Sequence, residues 1–222
     1  MVARALTMDP IVVFGLERSV YTRIVRMVLE EKGVRHELRP VEIFGAQGVP
    51  AEHLARHPFG RIPVLQHGSF SLHETAAIAR YVDEAFEGPR LQPASAMERA
   101  RMNQVIGLLD AYAYRPMVWG VFVQRVLLPR EGRLPDEATI ADALAATRTC
   151  LDALERVAAS GAWLVGSKLT LADLHAFPIL RALGLAPEGL VAIRRRPALS
   201  AWHDAMAARR SALRTASSFE AG

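Results

Sequence analysis

Strand-forming sequence is confined to the first part of this chain. β-branched and aromatic runs bounded by turn residues recur only before Glu87-Gly88-Pro89, and beyond Pro93 the apolar residues follow helical spacing. A chain divided in this way is expected to fold as two units: an α/β domain over residues 1–88 and an all-helical domain over residues 96–222.

Within the first unit, Ile11 to Phe14 is a short apolar run ending at Gly15, which predicts a buried strand and a turn. Val20 to Gly33 has the spacing of a helix with an apolar face, and Gly33 stands where a C-terminal cap is expected. Leu38, Val41 and Ile43 predict a second strand over Glu37 to Ile43. A loop from Gly45 to Pro50 and a short helix, Ala51 to Arg56, follow. Ile62 to Gln66 and Phe70 to Leu72 are strand-like and joined by His67-Gly68-Ser69, a hairpin pattern, and Thr75 to Phe86 is helical. The expected order is therefore β-α-β-α-β-β-α.

The second unit is expected to contain a long helix from Met97 to Leu128, kinked at Pro116 because proline lacks the backbone donor. Further helices are expected over Pro135 to Ala159 and Leu171 to Leu183, with shorter ones flanking Pro197. Thr170 and Asp173 have the spacing of a capping box, with Leu169 and Leu174 placed for a hydrophobic staple. That makes Asp173 a folding residue rather than a catalytic one. Arg209 to Gly222 reads as a tail.

Composition excludes several classes. The 51% hydrophobic content over 222 residues suffices for packed cores. No apolar stretch reaches the roughly 20 residues that would span a bilayer, so no membrane segment is expected. Met1 to Pro10 lacks the apolar core of a secretory signal. The net charge of +4 comes from arginines scattered among acids, with one dense run at Arg194-Arg195-Arg196, and does not predict nucleic-acid binding. Cys150 is the single cysteine and cannot form an internal disulfide, which fits a cytoplasmic setting.

Chemistry concentrates in two linked segments, His57-Pro58-Phe59-Gly60-Arg61-Ile62-Pro63-Val64-Leu65 and Leu72-His73-Glu74-Thr75-Ala76-Ala77-Ile78. A cis bond at Ile62-Pro63 would turn the main-chain groups of Ile62 outward, where they could pair with a peptide in the manner of an added strand. Glu74 and Thr75 open the next helix, whose unpaired N–H groups and dipole attract a carboxylate while the Glu74 side chain can hold an ammonium group. A ligand with an α-amino acid end on an extended peptide suits both halves. Taken singly, either segment is equally well explained as a turn or a cap.

These segments resemble the glutathione site of the glutathione transferase family, most closely the plant phi class and its bacterial relatives, and the resemblance covers nearly the whole chain. It implies a thioredoxin-like N-terminal domain, a helical-bundle C-terminal domain, glutathione as co-substrate, no metal, and a cytoplasmic homodimer with a detoxifying transferase activity. Ile62 would pair with the cysteinyl part of glutathione and Pro63 would be the cis-proline. Arg61 would touch the ligand's main chain, and Glu74 and Thr75 would bind its γ-glutamyl end. Serine-type members carry Ser followed four residues later by Arg, which Ser19 and Arg23 match.

A hydroxyl donating to sulfur raises the thiolate fraction of a thiol whose free pKa is about 8.5. Ser19 is therefore the expected activator, although serine is also a preferred helix cap. Tyr21 and Thr22 are its rivals. The positions that are basic in phi-like members are Gly48 and Val49 here, leaving Gln47, His53, Arg56 and Arg61 as candidates for the glycyl carboxylate. No cysteine occurs in the first domain, so thiol exchange lacks its nucleophile, and Cys150 reads as a packing residue.

The second substrate, an apolar electrophile, is expected between the domains, with Tyr114 and Met117 as its contacts because they are spaced by three on one helix. Conjugation is the expected reaction. Peroxidase or dehalogenase chemistry with the same thiolate, and a non-catalytic glutathione-binding module, remain open at this point.

Overall fold

Residues 9–220 are described by a computed structural model, and the expected signal-free stretch Met1 to Pro10 lies almost wholly outside them. The chain divides into two compact units, one of Met1–Arg90 with Arg210–Gly222 and the other of Leu91–Arg209. The division falls between Arg90 and Leu91. The C-terminal segment, by contrast, belongs with the first unit and not with the helical one.

The first unit follows the order β1 (Ile11–Gly15), α1 (Val20–Glu31), β2 (Glu37–Pro40), α2 (Ala51–Arg56), β3 (Val64–His67), β4 (Phe70–His73) and α3 (Thr75–Ala85). Its sheet runs β2-β1-β3-β4, with β1 parallel to β2 and antiparallel to β3, and β3 antiparallel to β4. Every residue of β1 is buried, which is why that strand is continuously apolar. Val12 and Phe14 pack with Val64 and Val41 on one face. By alternation Ile11 and Val13 face the other way.

Helix α1 ends in a Schellman motif, as Gly33 led one to expect. Gly33 sits at φ +68, its N–H donates to Glu30 O at 3.1 Å, and the Val34 N–H reaches Leu29 O at 2.9 Å. One residue earlier, Lys32 donates to Asp83 Oδ1 at 3.2 Å, to Asp83 O at 3.0 Å and to Pro89 O at 3.1 Å. This buried ammonium thereby uses all three donors and ties α1 to α3 and to the end of the unit.

The second unit contains α4 (Ala96–Leu108), α5 (Glu137–Ala158), α6 (Leu171–Gly184), α7 (Pro187–Arg194) and α8 (Pro197–Ala207). In place of one long kinked helix, the backbone passes after Leu108 into π-helical segments, Leu109–Ala113 and Arg115–Leu127. Pro116 stands at the start of the second, where its missing donor is least costly. Helix α6 is apolar nearly all round and is buried along its length apart from Arg181, so it forms the centre of this unit.

The α6 capping box is present. Asp173, 0% exposed, accepts from Thr170 N–H at 2.8 Å and Leu164 N–H at 2.8 Å, and from the Trp202 indole at 2.9 Å. Burial pushes its pKa up, and the hydrogen bonds offset part of that rise. The residue stitches the 164–170 loop to α8.

His203 on α8 stacks near Phe177 of α6, with ring centroids 5.6 Å apart, and burial lowers its pKa to about 4. The folded state therefore binds fewer protons than the unfolded chain between about pH 6.5 and pH 4. The contribution is complete above pH 6.5 and lost on acidification through that window, amounting to about 3 kcal/mol. Chemical denaturation across this range should show the loss, and His203→Phe, which keeps a ring beside Phe177, should flatten it.

Candidate functional site

The pairing register decides where the sequence candidates meet. Phe14 lies opposite Val64, and Val64 opposite His73. The end of β1 leading to Ser19, the start of β3 behind Ile62-Pro63, and the end of β4 leading to Glu74 consequently share one end of the sheet.

At that end Ser19 is the N-cap of α1, extended at φ −75 and ψ 123. Its Oγ accepts the Thr22 N–H at 3.3 Å. Accepting through a lone pair leaves the hydroxyl proton available as a donor, so capping and thiol activation are compatible. The first turn of α1 carries no acidic residue, and its positive end is not neutralised locally.

Thr22 is fully buried, and a Cβ at Gly15 would stand 2.4 Å from its Oγ1. Gly15 is therefore required by the close approach of Thr22. That packing removes Thr22 from contention as an activator.

The Ile62-Pro63 bond is cis. Ile62 lies before β3 and takes no part in the β1–β3 register, which is the placement that a strand-like ligand requires. Glu74 has φ 72 and ψ 110, the only positive φ outside glycine among the described residues. Such a backbone costs of order 1–3 kcal/mol and recurs at functional sites. Its side chain is exposed, and buried Thr75 opens α3 immediately after it.

Comparison with known proteins places the chain in a family. Residues 13–90 match the family described as Glutathione S-transferase, N-terminal domain, and residues 116–210 match its C-terminal domain. Glutathione S-transferase 4 of Zea mays is 33% identical over 204 residues, covering 92% of this chain and 91% of that protein. The chain belongs to the glutathione S-transferase family.

Arabidopsis thaliana glutathione S-transferase F10 is 32% identical and covers 82% of this chain and 86% of its own. Among solved structures, glutathione S-transferase III in its apo form has a TM-score of 0.84 at 31% identity, covering 95% of this chain and 97% of that one. Glutathione S-transferase I bound with lactoylglutathione has a TM-score of 0.82 at 26% identity, covering 93% and 98%. The family consists of transferases that use glutathione as co-substrate.

Several positions of this transferase carry roles that its sequence did not reveal. Arg23, paired with Ser19 in the sequence pattern, turns its guanidinium away from the cap: it forms a buried ion pair with Glu220 and donates to Ala212 O at 3.1 Å. The supposed tail contains a helix, α9 (Arg210–Arg214), whose Arg214 meets Glu30 at 2.9 Å and whose Ser211 donates to Glu31 at 2.5 Å. Residues 210–220 thus lie along α1, and only Ala221 and Gly222 fall outside the described part.

Of the four glycyl-carboxylate candidates, two are already engaged. His53 donates from Nε2 to Arg61 O at 2.8 Å, and Arg56 is held by Glu52 while lying 4.2 Å over the Phe14 ring. Gln47 and Arg61 are exposed. A cavity of about 700 Å³ runs beside Gln47, Gly48, His53 and Arg56.

In the helical unit the expected pair differs in exposure. Met117 is 0% exposed, whereas Tyr114 is half-buried. Burial pushes the Cys150 thiol up, which suits packing rather than reactivity. Among the described residues no cluster of metal-ligating side chains forms and no helix is long and apolar enough to cross a membrane.

Glu220→Ala should lower stability by about 3 kcal/mol, since breaking a buried ion pair costs this much. Urea denaturation would measure it, and a change below about 0.5 kcal/mol would show the clasp to be idle.

Proposed function

We propose that the chain conjugates the thiolate of glutathione to an apolar electrophile, acting in the cytoplasm as a detoxifying homodimer. The observation that carries this reading is the meeting of Ser19, cis-Pro63 and the strained Glu74-Thr75 turn at one end of the sheet. Two solved structures of similar fold, glutathione S-transferase I bound with lactoylglutathione and glutathione S-transferase I from mais with an atrazine glutathione conjugate, support the ligand class.

In this mechanism the γ-glutamyl carboxylate takes the N–H groups at the start of α3, and Glu74 holds the α-ammonium group. The cysteinyl main chain pairs with Ile62, and Arg61 lies along the same edge. That places the sulfur at the N-terminus of α1. There the Ser19 hydroxyl donates to it, and the helix dipole adds to the stabilisation. The thiolate then attacks the electrophilic atom, a carbon–sulfur bond forms, and the leaving group departs with its electron pair. Positioning and thiolate stabilisation supply the rate. Tyr114 is the proposed contact of the helical unit with the electrophile; Met117 has no exposed surface to offer it.

For the homodimer the support is an apolar side chain with no cover. Phe59 is 73% exposed at the tip of the turn before Arg61, and it is the side chain offered to a second copy.

Titration with glutathione should raise the ultraviolet absorbance of the thiolate near neutral pH in the wild type. Ser19→Ala should abolish that signal and reduce kcat about 100-fold, the effect of losing one donor to a developing anion. Binding with no thiolate signal in either protein would refute the enzymatic reading. In light scattering, Phe59→Ser should shift the population from dimer towards monomer.

A further inference from the structure

Three histidines gather behind the proposed ligand-contacting residues of the two glutathione motifs: two lie inside the motifs and His53 precedes them. His53 is on α2, His57 opens the turn that leads to Ile62-Pro63, and His73 is the last residue of β4, directly before Glu74. The rings of His57 and His73 are stacked, with centroids 4.5 Å apart and planes tilted by 32°. His57 and His53 lie 6.4 Å apart.

His57 is 3% exposed, and its ring does more than fill space. Its Nδ1 accepts the Phe59 N–H at 3.3 Å, while its carbonyl accepts the Gly60 N–H at 2.8 Å. Both bonds define the Pro58-Phe59 turn, with Gly60 at φ +61 closing it. An Nδ1 that accepts must be bare, so the ring is neutral with its proton on Nε2. From α2, His53 donates to Arg61 O at 2.8 Å, fixing the next residue along.

Resting on the reading of this end of the sheet as the glutathione site, we propose that His57 and His73 are positioning residues that brace the Pro58–Ile62 turn against the Glu74 turn. Protonation of His57 releases that brace, and glutathione affinity falls on acidification.

Two losses accompany the proton. Nδ1 becomes a donor and can no longer accept from Phe59, and the ring acquires a positive charge facing His73, His53 and Arg61, which Glu74 offsets in part. Burial first, and then His73, hold the His57 pKa below the ordinary histidine value. The braced state is therefore complete above about pH 6.5 and is lost as pH falls through the lowered value.

S-methylglutathione, whose capped sulfur cannot ionise, separates this effect from titration of the thiol. Calorimetric titration of the full chain should give a Kd about tenfold higher near pH 5 than near pH 7.5. His57→Asn keeps an acceptor for the N–H two residues on but does not titrate, so its Kd should stay constant over this range. His73→Phe keeps a ring against His57 and removes the second histidine, so weakening should begin at a higher pH than in the wild type. Overturning results are a His57→Asn profile that follows the wild type, or a His73→Phe profile with an unmoved midpoint. Failure of the wild type to bind S-methylglutathione at pH 7.5 would instead remove the glutathione reading, and the brace with it.

Discussion

The antiparallel pairing of β3 with both β1 and β4 is the constraint on which the site depends. Because Val64 faces Phe14 on one side and His73 on the other, three segments far apart in sequence end at the same level of the sheet. A slip of one residue in either ladder would turn the apolar face of β3 outward and separate the Ile62 edge from the Glu74 turn. The buried face formed by Val12, Phe14 and Val64 therefore enforces geometry as well as stability. Each chemical group sits on a segment that this register delivers: a helix start for Ser19, a cis turn for Ile62, a strained turn for Glu74.

Features built from near neighbours in sequence were legible before the structure. The Gly33 cap and the Thr170–Asp173 capping box each span a few residues, and both partners are visible in one short window. The cis-proline and the Glu74-Thr75 helix start were legible for the same reason. Glu74's positive φ was not, since nothing local distinguishes a glutamate in that conformation from an ordinary helix cap. Pro116 correctly marked an irregularity, yet the backbone answered with π-helical turns in place of a kink. Helical spacing then grouped Tyr114 with Met117, although only Tyr114 keeps exposed surface. The Arg23–Glu220 pair was beyond reach, because its partners are 197 positions apart and the acid lies in a stretch with no periodicity.

Polar groups behind the site act as its frame. Lys32 closes the base of α1, Arg23 binds its side, His53 fixes the Arg61 carbonyl, and the His57–His73 stack joins the two ligand turns. Three of these are cations or titratable rings buried against carbonyls and carboxylates. Replacing them with apolar residues of equal volume could keep the packing while losing the directional bonds that set the angles of the turns.

The return of residues 210–220 to α1 makes the ligand-binding unit discontinuous along the chain. During synthesis the first ninety residues emerge well before the segment that flanks α1, and the entire helical unit is made in between. Until that segment arrives, the flank of α1 bearing Arg23, Glu30 and Glu31 stays open to solvent and to other chains. The topology thus delivers the last contacts of the sheet unit only after the helical unit has been made.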